Sequence, residues 1–126
     1  MLLIEIDIKP GSDPNSIKLS PQGDGMIAVA ILSSVGFDAS LVDPATATLG
    51  DEDGADTPVA RRRNGSLFAS LEDANDDGRP DLLLHFSRSE LIGNGDLTTD
   101  VTSLILLAEL VDGRHARGED AVRVIP

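Results

Sequence analysis

The residues best suited to chemistry are Asp73-Ala74-Asn75-Asp76-Asp77-Gly78-Arg79-Pro80-Asp81. With Asp73 as position 1, oxygen side chains fall at positions 1, 3, 5 and 9 and glycine at position 6, the order that lets a short loop wrap one hard cation. The expected ligands are Asp73, Asn75, Asp77 and Asp81, with the backbone carbonyl of Arg79 at position 7 and Ca2+ as the ion. Alternate residues of a tight loop point inward, and Gly78 supplies the sharp turn that a side chain would obstruct. Pro80 fixes its own φ and biases Arg79 toward an extended conformation, which helps to set that carbonyl. Asp, Asn and Gly also make plain solvated turns. A plain turn needs no acid at every second position, however, and Asp73, Asp76, Asp77 and Asp81 beside Glu72 repel one another unless a cation neutralises them.

On these residues the loop resembles those of dockerins, thrombospondin type 3 repeats and the FG-GAP repeats of integrin-like propellers. It departs from the EF-hand at position 12, where the bidentate glutamate is replaced by Leu84 within the apolar run Leu82-Leu83-Leu84-His85-Phe86. The context is therefore strand-loop-strand. Without the bidentate acid a further ligand must come from water or from elsewhere in the fold, and the affinity suits the millimolar calcium found outside cells.

The elements that must position this loop are short strands. Leu2 to Ile8 alternates apolar Leu2, Ile4, Ile6 and Ile8 with Leu3, Glu5 and Asp7, the pattern of a half-buried strand. Loop residues follow at Pro10 to Ser16, Ile17 to Leu19 is a short strand, and a turn is expected at Pro21 to Gly25. Met26 to Leu32 is an unbroken apolar run, which reads as a central strand covered on both faces. Phe37 to Pro44 has room for one helical turn or an irregular crossover, Thr46 to Leu49 resumes as strand, and Val59 to Arg63 and Ser66 to Leu71 flank the hairpin signal Asn64-Gly65. The loop joins the second arm to Leu82 to Phe86. Ser87 to Gly95 reads as irregular, with room for a short helical turn at Ser89 to Ile92; a long strand is expected at Val101 to Leu110 with Leu104, Leu106, Ala108 and Leu110 on one face, and a last strand at Ala121 to Ile125. The expected fold is all-β: an antiparallel, Ig-like β-sandwich of about eight short strands, forming one domain over residues 1–126. No internal repeat is present, which excludes a propeller at this length.

Composition narrows the function. The net charge of −12 argues against nucleic-acid partners and is compatible with cation binding. Sixteen Asp against six Glu favours turns and calcium loops over helices. No apolar run approaches the ~20 residues that span a bilayer. Cysteine is absent, so neither disulfides nor a cysteine zinc site is available. Of the two histidines, His85 reads as a packed or surface residue rather than a base, and His115 falls in a charged turn. No nucleophile elbow, zinc-protease helix or phosphate loop is present. The lack of Trp and Tyr leaves no aromatic platform for sugar rings. Two further acidic groups, Asp13, Asn15 and Ser16, and Asp51, Asp53 and Asp56, could meet a cation but read better as solvated loops. Arg61-Arg62-Arg63, the only dense positive charge, reads as balancing neighbouring acids.

The opening Ile4-Glu5-Ile6-Asp7-Ile8-Lys9-Pro10-Gly11-Ser12-Asp13-Pro14-Asn15-Ser16-Ile17 resembles a module of secreted bacterial and archaeal proteins. The resemblance continues through Ile27 to Leu32, Phe37-Asp38, Val42-Asp43-Pro44 and the calcium loop, and covers most of the chain. It implies a non-enzymatic, calcium-associated β-domain at an extracellular location, secreted or on the cell surface, and the sequence is expected to be a mature segment of a longer precursor. Two alternatives stand beside it. One is a self-assembling filament or surface-layer subunit, a homo-oligomer formed when Leu2 to Ile8 adds to a neighbour's sheet edge; pairing inside its own sheet is the competing expectation. The other is a carbohydrate-binding accessory module.

Overall fold

A computed structural model describes residues 1–10, 16–19, 25–51 and 54–125. Asp13, Asn15 and Asp53, and most of the loops expected at 10–16 and 21–25, lie outside the described residues.

The chain is an antiparallel β-sandwich. In chain order the described strands are β1 (Leu2–Leu3), β2 (Ile6–Ile8), β3 (Ser16–Lys18), β4 (Met26–Ile31), β5 (Val42–Asp51), β6 (Gly54–Pro58), β7 (Ala69–Glu72), β8 (Asp81–Ser87), β9 (Ser103–Leu110), β10 (His115–Ala121) and β11 (Arg123–Ile125). One sheet has the order β1-β10-β9-β5-β6 and the other β2-β4-β8-β7, and β3 pairs with β11 as a separate ribbon. Within the two large sheets every pairing is antiparallel except β1 with β10.

The expected central strand is β4, which lies between β2 and β8. Val29, Ala30 and Ile31 are consecutive and all fully buried, so both faces of this strand are covered. Ile8, Val29, Ile31, Leu84 and Phe86 from this sheet meet Leu49, Leu104 and Leu106 from the other in one core. Asp38 caps a single 3-10 turn at Ala39–Leu41, where its Oδ1 accepts from the Ser40 amide at 3.0 Å. A short helix, α1 (Arg88–Gly93), begins at Ser87, whose hydroxyl accepts from the Glu90 amide.

Three expectations are corrected. The alternating stretch Leu2 to Ile8 is two strands in different sheets: the Ile4 amide makes the last bond to β10, on the Arg117 carbonyl, and the Glu5 carbonyl makes the first toward β4's end, accepting from Leu32. Alternation survives the crossing because only the hydrogen-bond partner changes, so periodicity alone could not reveal it. Both halves are paired within the chain. Second, residues 115–121 form a strand instead of a charged turn. Its inward residues are Ala116 and Gly118, too small to register as an apolar pattern, and a Cβ on Gly118 would lie 2.7 Å from Ile6 Cγ2 and 3.1 Å from the Ile4 carbonyl. Only glycine lets the crossing segment pass so close. Third, the hairpin around Asn64-Gly65 has one bridge, Arg61 with Leu67, and no long arms, because the chain kinks after it with the Ala69 amide donating to Leu67. With the split first strand, β6 and β10, the described strands exceed the eight expected.

Candidate metal centre

Strand β7 delivers the chain into the loop at Glu72, and β8 takes it away at Asp81, paired with each other across the loop's base. The loop must therefore close on itself over Asp73 to Pro80. Asp76 at φ 59° and Gly78 at φ 82° make the left-handed turns that close it, the latter a conformation glycine adopts without strain.

Three of the predicted ligands converge. Asp73, Asp77 and Asp81 each offer a carboxylate oxygen, and these oxygens all lie within 4.8 Å of one another. Oxygens arranged around one calcium ion at about 2.3–2.6 Å are separated by at most about 5 Å, so the spacing fits a single shell. Among the described residues this is the only group of three or more His, Cys, Asp or Glu side chains with such a spacing.

The carboxylates are also held by the backbone. Asp73 Oδ2 accepts from the Gly78 amide at 2.9 Å and Oδ1 from the Asp77 amide at 3.2 Å, while Asp77 Oδ1 accepts from Arg79 at 2.8 Å. The Asn75 amide group sits between the two acids, one terminal atom 3.3 Å from Asp73 Oδ1 and 3.0 Å from Asp77 Oδ1. With nitrogen there it donates to both acids; with oxygen there the three oxygens face one another, an arrangement that a cation would stabilise. Arg79 brings its guanidinium to 3.9 Å from Asp77 Oδ2.

Asp81 differs from the other two. It is fully buried, and its Oδ1 accepts from the Ser33 amide at 2.8 Å and its Oδ2 from the Ala74 amide at 2.9 Å. The Ser33 hydroxyl donates to the Pro80 carbonyl at 2.7 Å and accepts from the Ala39 amide at 2.8 Å. Ser33 is thus the residue that fixes the loop's exit to the end of β4. The sequence carried no signal for it, since its role runs through its own amide and a hydroxyl bonded to backbone. An open groove of about 510 Å³ adjoins this junction, with Arg79 and Asp38 as its charged lining groups.

The other candidates fare differently. Asp51 lies at the end of β5 and Asp56 in β6, and no metal-spaced group forms from them among the described residues. Their neighbour is Asp96, 2 % exposed, which accepts from the Thr57 hydroxyl at 3.1 Å. Burial raises the Asp96 pKa above the ordinary carboxylate value, and the Asp56 and Asp51 charges add to the rise against the hydrogen bonds that oppose it. His85 packs its ring 4.1 Å from that of Phe68, with Nδ1 buried and, among the described residues, without a hydrogen-bond partner. Burial lowers its pKa and the Arg62 charge adds a smaller push, against the Phe68 backbone and Glu72. His115 begins β10, with Nε2 3.5 Å from Glu109 Oε1. Among the described residues Arg61, Arg62 and Arg63 have no carboxylate at salt-bridge distance, so no close ion pair there carries the expected balance with neighbouring acids. No helix among the described residues is long and apolar enough to cross a membrane.

No protein-family model matches this chain, and no curated protein matches it. Among solved structures, the crystal structure of CopC from Methylosinus trichosporium OB3b aligns over 98 % of this chain and 96 % of that one, at 16 % identity and a TM-score of 0.35, a likeness too slight to bear on the site.

Proposed function

We propose that this chain is a non-enzymatic, extracellular β-sandwich whose loop at Asp73–Asp81 binds calcium and is locked by it. The observation that carries the reading is the convergence of Asp73, Asp77 and Asp81 oxygens within 4.8 Å on a strand-to-strand loop. Calcium is the cation of choice because the donors are all hard oxygens, with the Asn75 carbonyl and the Arg79 backbone carbonyl completing the set and water filling the place of the missing bidentate acid. The ion would draw together carboxylates that otherwise repel, and would fix the loop between β7 and β8.

Linkage gives the size of the effect. Calcium that binds the folded loop and not the unfolded chain adds RT ln(1 + [Ca]/Kd), about 1.4 kcal/mol at ten times Kd. Thermal melts in calcium and then in chelator test this, with Asp73→Asn/Asp77→Asn as control. The melting temperature rises with calcium in the native chain and not in the double variant. An equal melting temperature with calcium and with chelator sinks the proposal.

A further inference from the structure

We propose that the Arg61–Leu67 hairpin is a docking finger for the acidic surface of a second copy of this chain. Arg61, Arg62 and Arg63, running from its base into its turn, are exposed. The turn is firmly built: the Arg62 amide donates to Ser66 and the Gly65 amide to Arg62, Asn64 Oδ1 accepts from both the amide and the hydroxyl of Ser66, and Gly65 takes φ 87°. Two guanidinium groups are also preset. Arg61 donates to the Gly65 carbonyl at 2.8 Å, and Arg62 lies 5.1 Å from the Phe68 ring centroid while donating to the Ala69 carbonyl.

What these arginines lack among the described residues is a paired anion. Arg79, Arg114 and Arg117 each pair with a carboxylate two residues away, whereas the hairpin's three have no such partner among the described residues. The finger is the one concentration of positive charge on a chain of net charge −12, so the remainder is more acidic still. The densest exposed acid, Glu72, Asp73, Asp76 and Asp77 against Arg79 alone, lies at the other end of β7 from the hairpin. No arginine of the hairpin reaches a carboxylate of this loop at salt-bridge distance within the molecule, which leaves that pairing open to a second copy. Such a contact is head-to-tail, so it propagates into open chains unless its rotation closes a ring. The inference does not depend on the loop holding a cation.

Sedimentation velocity over a range of concentrations tests it, at about 0.1 M salt so that repulsion between whole molecules is screened beyond ~10 Å, and with chelator present. The native chain shows a sedimentation coefficient that rises with concentration. Arg63→Glu, at a side chain with no hydrogen bond or ion pair among the described residues, sediments as a monomer with an unchanged melting temperature. Glu72→Lys does the same alone, and an equimolar mixture of the two variants associates again. A native chain that stays monomeric at every concentration overturns the proposal, as does association that Arg63→Glu leaves intact. Retention of a monomer on an anionic polysaccharide matrix, lost in Arg63→Glu, would overturn the second copy as the occupant.

Discussion

The Ser33 amide donates a buried hydrogen bond of 2.8 Å to Asp81 Oδ1, across 48 residues of sequence. This bond joins the exit of the acidic loop to the end of the central strand, so the loop's geometry is inherited from the sandwich and is not assembled by the loop alone. Asp81 therefore has one task toward the backbone of the fold and, under the proposed function, a second toward a cation.

The two tasks separate in chelator. Asp81→Ala leaves the Ser33 and Ala74 amides without acceptors, and an unsatisfied buried donor costs about 1–3 kcal/mol. Urea unfolding with calcium removed should show a loss of that order or larger, while Asp73→Asn, at an exposed position, loses little. Asp81→Asn, which keeps one acceptor oxygen, should fall between. Equal stability of Asp81→Ala and the native chain in chelator would refute the structural task.

Gly118→Ala tests the crossing of the first strand. The new methyl would lie 2.7 Å from Ile6 Cγ2 and 3.1 Å from a backbone oxygen that cannot easily move. Overpacking of this kind costs about 1–3 kcal/mol. Denaturant midpoints read the loss directly, and Gly36→Ala, with nothing within 4 Å of the added Cβ, is the control that should stay near native.

His85 should make the fold acid-sensitive. Its pKa in the fold lies below the ordinary 6.5, first through burial, so the unfolded chain binds the proton better. The stability it contributes is complete above 6.5 and is lost as pH falls through the folded-state value. The charges around it are Arg62 and Glu72. Amide exchange of the hairpin, whose backbone is bonded to His85 through Ala60 and Phe68, should accelerate on acidification in the native chain and much less in His85→Gln. Identical pH profiles for the two would refute the assignment.

Asp96 should act with the opposite sign. Its folded-state pKa is raised above 3.8, chiefly by burial, so the folded chain holds the proton better. The stability it contributes is fully present below 3.8 and is lost as pH rises through the raised value. Melts of the native chain and Asp96→Asn should show a difference that moves against the native chain across that window. A difference that is flat with pH would count against the burial argument.

Local pattern determined the strands with strong alternation or continuous apolar runs, the 3-10 turn, α1 and the spacing of Asp73, Asn75, Asp77, Arg79 and Asp81. These are effects of neighbours in sequence, where a period of two or a turn-forming glycine expresses itself without help. Tertiary structure decided the rest. The sheet switch at Glu5 and the strand at His115–Ala121 depend on which segment lies alongside, and their small inward residues are explained only by the Ile4 and Ile6 backbone and side chains crossing above Gly118. The partners of Asp81 and the absence, among the described residues, of a carboxylate at salt-bridge distance from Arg61 to Arg63 are likewise distances between remote segments. A sequence gives the chemical character of such groups but not their separation, because chain folding alone sets which charges and hydrogen-bond donors come within reach.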